Sequence, residues 1–322
     1  MNLLCGIKHG TSPKMLKRGV HTGVLPVLLV LLGLGRLPAE TWYLDPSGRW
    51  AEISPACRDC LLDGGKYLSQ NKLIKAARCY QKFLKECDSD PNLTNEVLER
   101  QFSIAERFLA GRKKTVFGLF RVSTYAEGVK MMERISDRAG NSQLGLEAAV
   151  AVARHYERRA EDESGYYEAA YLKWREIFET YDHGMKLSEA YPTGIVGKDA
   201  LLAMARCKES SYAGPQYDAS VLVGRPFTED IYDNARGCYR QFKALYPDDA
   251  ERFRIDERLK QIDEEIALKY VHTAQYYRRT GSRQAANLYC QMVINDWPGT
   301  KAARTAAEML AGGATEALEQ EK

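Results

Sequence analysis

Eight cysteines are the residues of this sequence with the most evident chemistry, and two of them form a C-x-x-C, Cys57 and Cys60. This spacing occurs in redox-active pairs and as half of a zinc site. The sequence lacks what either chemistry requires. No second C-x-x-C or histidine pair follows to complete a zinc site, and no βαβ pattern surrounds the motif as in redox proteins. On a helix the two cysteines share one face, so we interpret them as small core residues.

The other cysteines do not define a disulfide framework. Seven cysteines lie beyond residue 39, an odd number that cannot all pair within one chain. Cys79, Cys238 and Cys290 each adjoin a tyrosine within a predicted helix, so we expect them in the core as well.

The residue types that support catalysis form no recognisable active site. The five histidines, at positions 9, 21, 155, 183 and 272, share no metal-ligand spacing, and His155 is interpreted as a core or interface residue. The sequence contains no nucleophile elbow, no H-E-x-x-H and no P-loop. The acidic runs at 161–163 and 263–265 are typical of solvated helix faces. We therefore predict a non-catalytic protein without cofactor or metal; an enzyme with a cryptic site is the less favoured alternative.

Helical hairpins are the elements that the sequence predicts most clearly, and residues 269–310 contain one. Two helices are separated by Gly281, and Trp297-Pro298 ends the second, because proline cannot continue a helix. A third helix, rich in small residues, follows and is interpreted as a cap. The apolar stripes are Ile266, Tyr270, Ala274 and Tyr277, then Ala285, Leu288, Tyr289, Met292 and Val293. One hairpin cannot bury such faces alone, so neighbours of the same kind are expected.

The second helix of each predicted hairpin carries a small residue and, four positions later, a large one. The pairs are Ala76 and Tyr80, Gly128 and Met132, Ala170 and Trp174, Ala235 and Tyr239, and Ala285 and Tyr289. Tetratricopeptide repeats use this pattern with a period of about 34 residues. The large residues here are more widely spaced, at positions 80, 132, 174, 239 and 289. The pattern predicts an all-α, right-handed α-solenoid of about five degenerate hairpins over residues 56–311.

The start of the chain is typical of an export signal. Residues 1–39 contain five basic side chains and no acid, and an eleven-residue apolar run at 24–34 is too short to span a bilayer. We predict cleavage near Gly35 or Ala39; an uncleaved signal anchor is the alternative. Residues 40–55 are predicted to be an extended lead, and residues 312–322 a frayed or disordered tail.

The charge of the rest of the chain argues against nucleic-acid binding. Without residues 1–39 the sequence has 41 basic and 43 acidic side chains, which is close to neutral. A nucleic-acid-binding domain of this size is normally strongly basic. We therefore expect protein partners.

The segment 111–121 stands out inside the second hairpin because it mixes cations with large apolar residues between glycines. Phe117 and Phe120 are its aromatic members. Such a loop would dock a partner or touch a membrane surface. The alternative, which we favour, is that its phenylalanines pack under the neighbouring hairpin.

The combination of an export signal with degenerate tetratricopeptide-like hairpins resembles the BamD (YfiO/ComL) family of outer-membrane assembly lipoproteins. The segment from Tyr246-Pro247 to Ala302 resembles the last repeats of that family, and Ala76, Tyr80 and Phe83 resemble its first. The resemblance extends over residues 56–311. The sequence departs from the family in one respect: no cysteine that could be lipidated directly follows the apolar run.

The resemblance implies a periplasmic scaffold at the outer membrane of a diderm bacterium that assists insertion of β-barrel proteins. Its expected partners are a β-barrel assembly subunit, which would also provide membrane association, and unfolded outer-membrane protein segments. By geometry the first helix of each hairpin lines the concave face of a solenoid. Tyr67, Arg100 and Arg107 are therefore candidate peptide-binding residues, together with Phe117 and Phe120. A general cell-envelope adaptor, for division or peptidoglycan factors, and a cytoplasmic scaffold remain alternatives.

Overall fold

Thirteen helices and one short β-hairpin make up the part of the chain that the structure describes. The computed structural model describes residues 54–87, 91–116, 120–214, 220–223 and 234–320. The predicted signal, most of the lead, and much of the segment 212–230 lie outside these residues. The elements are α1 (Pro55–Ser69), α2 (Leu73–Glu86), α3 (Pro91–Leu109), β1 (Lys113–Val116), β2 (Phe120–Ser123), α4 (Tyr125–Ala139), α5 (Gln143–Asp162), α6 (Tyr166–Thr180), α7 (Val196–Ser210), α8 (Ser220–Val223), α9 (Ala235–Leu245), α10 (Pro247–Arg252), α11 (Ile255–Arg279), α12 (Arg283–Asp296) and α13 (Lys301–Gln320).

Helices that follow one another in the chain pack against one another, which is consistent with a helical repeat. The main pairs are α1 with α2, α3 with α4, α5 with α6, α7 with α9, and α11 with α12. Helices α4 and α5, and α6 and α7, join neighbouring pairs, and α13 packs on α12 and α11. The prediction of an all-helical fold with this packing is confirmed.

The paired small and large residues of the repeat pattern are buried in the first four hairpins. Ala76 and Tyr80 are completely buried, as is Met132. The facing helix makes room for the large residue: a Cβ atom on Gly64 of α1 would lie 2.5 Å from Cε1 of Tyr80. Glycine therefore permits the close approach of α1 and α2 at the Tyr80 ring.

The last hairpin uses a different register from the predicted one. Ala286, Cys290 and Val293 are the buried residues of α12, whereas Tyr289 is half-buried and Leu288 is 57% exposed. Helix α12 packs against both α11 and α13, and α13 contributes Ala302, Ala303 and Ala306 to this core. The ring of Tyr289 stacks on that of Tyr277 in α11, with ring centres 5.5 Å apart, whereas Leu288 faces solvent.

The segment predicted as a loop at 111–121 contains a β-hairpin instead. Strands β1 and β2 pair antiparallel, with Lys113 opposite Ser123 and Val116 opposite Phe120. The expectation that the chain has no strand is therefore wrong at this place. Strand β1 has no apolar alternation, and the alternation of β2 extends over four residues only, so neither strand gives a clear signal in the sequence.

The first hairpin is closed by a disulfide bond between Cys57 and Cys87, whose Cα atoms are 5.8 Å apart. Cys57 is buried in the core, as predicted, but its sulfur is paired and not free. Cys60 is free and buried, and burial raises the pKa of its thiol. Cys238 and Cys290 are buried as predicted, and Cys79 is half-buried.

No helix within the described ranges is long and apolar enough to cross a membrane. Helix α13 continues to Gln320, well into the segment 312–322 that was predicted to be a frayed or disordered tail.

Candidate protein-binding site

The binding residues predicted from the sequence are spread over the first two hairpins. Tyr67 lies near the end of α1, half-buried, with the Lys75 ammonium 5.4 Å from its ring centre. The Arg100 side chain is only 12% exposed, and it forms an ion pair with Glu96 at 3.4 Å. Burial lowers the pKa of Arg100, with small opposing effects from nearby groups. Its guanidinium is thus largely engaged within the protein.

The other three predicted residues differ in their surroundings. Arg107 is exposed near the end of α3. Phe120 begins β2, where its backbone pairs with that of Val116. Phe117 lies outside the described residues. That these five residues share one binding surface stays a prediction.

A cavity of about 360 Å³ between α5, α6 and α7 is the stronger candidate site. Its volume lies in the usual range for ligand pockets. The segment between α6 and α7 closes one side. The lining residues are Arg154, Glu157, Glu161, Tyr167, Trp174, Ala190, Tyr191, Pro192, Asp199, Arg206, Cys207 and Ser210.

Aromatic and charged groups are ordered around this cavity by mutual contacts. The indole Nε1 of Trp174 donates a hydrogen bond to Oε1 of Glu157 at 3.0 Å. The Tyr191 ring meets Trp174 edge to face, with ring centres 6.2 Å apart. The Arg154 guanidinium lies 5.0 Å from the centre of the Tyr191 ring. Such contacts hold the cavity walls in one arrangement before any ligand arrives.

Asp199 fixes the segment that carries Tyr191. Its two carboxylate oxygens accept hydrogen bonds from the backbone N–H groups of Thr193, at 3.0 Å, and Ile195, at 3.2 Å. Asp199 is 2% exposed and lies in the first turn of α7. A carboxylate in this position also interacts favourably with the helix dipole. Asp199 is therefore a positioning residue for the cavity wall.

The electrostatics of the cavity depend on Glu157. Burial raises the pKa of Glu157, while Arg206, the Trp174 hydrogen bond and Arg154 act in the opposite direction. Burial also raises the pKa of Tyr191 to about 12. Arg206 is exposed at the rim of the cavity. The site thus combines aromatic side chains with two arginines and three carboxylates.

His155 is a core residue, in agreement with one of the two interpretations of the sequence. It is 5% exposed, and its ring lies 5.1 Å from that of Tyr125 and 6.0 Å from that of Tyr156, centre to centre. Burial, with added repulsion from Arg158 and Arg159, lowers the pKa of His155 to about 4. The histidine is neutral in the folded protein at physiological pH.

This lowered pKa predicts acid sensitivity. An unfolded histidine has a pKa near 6.5, so between pH 6.5 and 4 the unfolded chain binds a proton that the folded chain does not. We expect the unfolding free energy to fall by about 2 kcal/mol from pH 7.5 to 5 through this residue. His155→Phe should remove that part of the pH dependence in urea unfolding curves, whereas His272→Gln, at an exposed position, should not. Parallel pH profiles for wild type and His155→Phe would contradict the assignment.

No group of three or more histidine, cysteine, aspartate or glutamate side chains is placed to hold a metal ion within the described ranges. No protein-family model matches this chain, and no curated protein matches it significantly. The described residues define the class of the protein: it is mainly helical, its neighbouring helices pack as in a helical repeat, and a cavity lies between α5, α6 and α7.

Sequence reasoning identified parts of this cavity without recognising them as a site. Trp174 was predicted as the large residue of the third hairpin. It also lines the cavity. The unusually long connection between α6 and α7 was the available signal, since long ordered connections are often functional.

Proposed function

We propose that this protein is a non-catalytic scaffold that binds segments of other proteins in the cavity between α5, α6 and α7. The observation that supports this most is the preorganised wall of Trp174, Tyr191 and Arg154 beside a rim of charged groups. Extended peptides are bound by shallow apolar pockets with flanking charged side chains. The helical packing fits a right-handed α-solenoid of about five tetratricopeptide-like hairpins, in which grooves between hairpins take such peptides.

The proposed location is the periplasm. Two features support it: the export-like residues 1–39, and the disulfide between Cys57 and Cys87, since disulfides persist in oxidising compartments. The resemblance to the BamD family extends the proposal to a role in outer-membrane β-barrel assembly. Attachment to the membrane would then come through a barrel-assembly subunit, because no lipid-attachment cysteine directly follows the apolar run.

Reversal of the charge of Arg206, at the rim, tests whether the cavity binds peptides. Arg206→Glu should weaken binding of an extended acidic peptide at least tenfold, because the substitution turns an attractive rim charge into a repulsive one. Arg240→Glu is the matched control, since Arg240 is exposed on α9 and does not line the cavity. Fluorescence anisotropy with a labelled peptide provides the measurement. Equal binding by the two variants would contradict the assignment of the cavity.

Co-purification from membranes tests the cellular role. Wild-type protein should recover a β-barrel assembly subunit, and Arg206→Glu should lose unfolded outer-membrane protein segments while it keeps that subunit. Recovery of cell-wall or division enzymes alone would favour the alternative role of a general envelope adaptor. A mature N-terminus near Arg36 or Glu40 would rule out the alternative of a cytoplasmic scaffold.

A further inference from the structure

The hairpin β1–β2 is an insertion in the helical array, placed between α3 and α4 of one helical pair. Its base is fixed to the helices. Thr124 donates to the carbonyl oxygen of Arg112 from both its backbone N–H, at 3.1 Å, and its Oγ1, at 2.7 Å. Arg112 in turn donates to Oδ1 of Asn71 in the turn between α1 and α2, at 2.7 Å. These hydrogen bonds fix the base of the hairpin relative to the turn between α1 and α2.

The pairing determines which backbone groups of the hairpin face outwards. In an antiparallel pair, residues that bond across the ladder alternate with residues whose N–H and C=O groups point away from it. Arg112 and Thr124 are a hydrogen-bonded pair, so with the observed register Lys113 and Thr115 of β1 point their backbone groups outwards. On β2, the backbone groups of Arg121 and Ser123 also point outwards.

Both outer edges are open among the described residues, because the sheet there has two strands only. An open edge presents a row of donors and acceptors that another strand can pair with. A two-stranded sheet is also only marginally stable, and a third strand would stabilise it. The hairpin therefore has two edges to which an extended polypeptide can add as a third strand.

The excess of positive charge in the sequence around the hairpin favours an acidic partner. No acidic residue lies between Glu106 and Glu127, whereas five cations do: Arg107, Arg112, Lys113, Lys114 and Arg121. Cations on an edge strand repel a second copy of the same edge. They attract a strand that carries carboxylates. A lipid surface is a poorer partner, because hydrocarbon cannot satisfy the outward N–H and C=O groups.

We propose that the hairpin β1–β2 binds an extended, carboxylate-bearing segment of another polypeptide as a third antiparallel or parallel strand. This site is separate from the cavity of the proposed function and does not depend on it. Backbone hydrogen bonds to one outer edge give the affinity, and the cations select acidic strands.

The test uses the full chain and a labelled nine-residue peptide of alternating valine and glutamate. Thr115→Pro and Ser123→Pro each remove one outward N–H while the ladder bonds of the hairpin stay, because proline is tolerated at edge positions. We expect at least one of them to weaken binding tenfold or more. Thr115→Val and Ser123→Val, which keep the amide, are the matched controls, and thermal melts check that each variant is folded.

Two further measurements separate strand addition from simple charge attraction. Methylation of alternate peptide amides along one edge should abolish binding, and methylation along the other edge should not. Because the cavity is also proposed to take acidic peptides, these measurements are made in an Arg206→Glu background, in which the hairpin should still bind the peptide. The proposal is overturned if wild type does not bind the peptide, or if binding tolerates both proline variants and both methylation patterns. It is also overturned if the hairpin instead mediates self-association or binding to anionic lipid vesicles.

Discussion

Replacement of both Cys57 and Cys87 by serine is expected to lower the unfolding free energy of the first hairpin by about 3–4 kcal/mol. The disulfide joins residues 30 positions apart and so restricts a loop that contains most of α1 and the whole of α2. Without it, the unfolded hairpin gains the entropy of an open loop. Among the described residues the first hairpin packs on the next pair through α3, so we expect the loss to be largest within α1 and α2.

Hydrogen exchange of the α1 and α2 amides measures this local effect, and urea unfolding measures the global one. Reduced wild-type protein should behave like the Cys57→Ser/Cys87→Ser variant, and reductant should not affect the variant. Cys79→Ser is the control, because Cys79 is a free, half-buried cysteine in the same hairpin. If oxidised and reduced wild type exchange at equal rates in α1 and α2, the disulfide does not stabilise the hairpin.

The helical fold was predictable because small and large residues recur at fixed spacing along the chain. The rule succeeded at Tyr80 and Trp174, which are fully buried. It failed on α12, where Tyr289 is half-buried and the buried stripe is shifted by one residue, to Ala286 and Cys290. Local pattern therefore predicts an element, whereas the neighbouring element decides which of its residues are buried.

Neither the disulfide nor the cavity could be predicted from the sequence, because both depend on contacts between residues far apart in the chain. Seven cysteines allow many pairings, and nothing local to Cys57 identifies Cys87 as its partner. The cavity brings Arg154 of α5 next to Tyr191, which lies beyond the whole of α6. Contacts of this kind depend on how three helices pack, and each residue alone is unremarkable in the sequence. The candidate site predicted from the sequence therefore fell on other residues.

Trp174 connects the stability of the array with the cavity, and its replacement should have a large effect. Trp174 is 1% exposed, and its substitution by alanine should lower the unfolding free energy by about 3–5 kcal/mol through the lost packing. Glu157 also loses its hydrogen-bond donor, which leaves a buried carboxylate less well satisfied. Because that bond lowers the pKa of Glu157, its loss raises the pKa further.

Two comparison variants separate these contributions in urea unfolding followed by circular dichroism. Trp174→Phe keeps most of the ring but not the N–H, so we expect a loss of about 1–2 kcal/mol, mainly from the hydrogen bond to Glu157. Leu172→Ala removes a large apolar side chain from the same helix at a position that is 54% exposed, and should cost less than about 0.5 kcal/mol. A Trp174→Ala variant as stable as Leu172→Ala would show that the Trp174 ring does not hold α5, α6 and α7 together. The cavity would then have no preorganised wall, and the proposed peptide site would lose its physical basis.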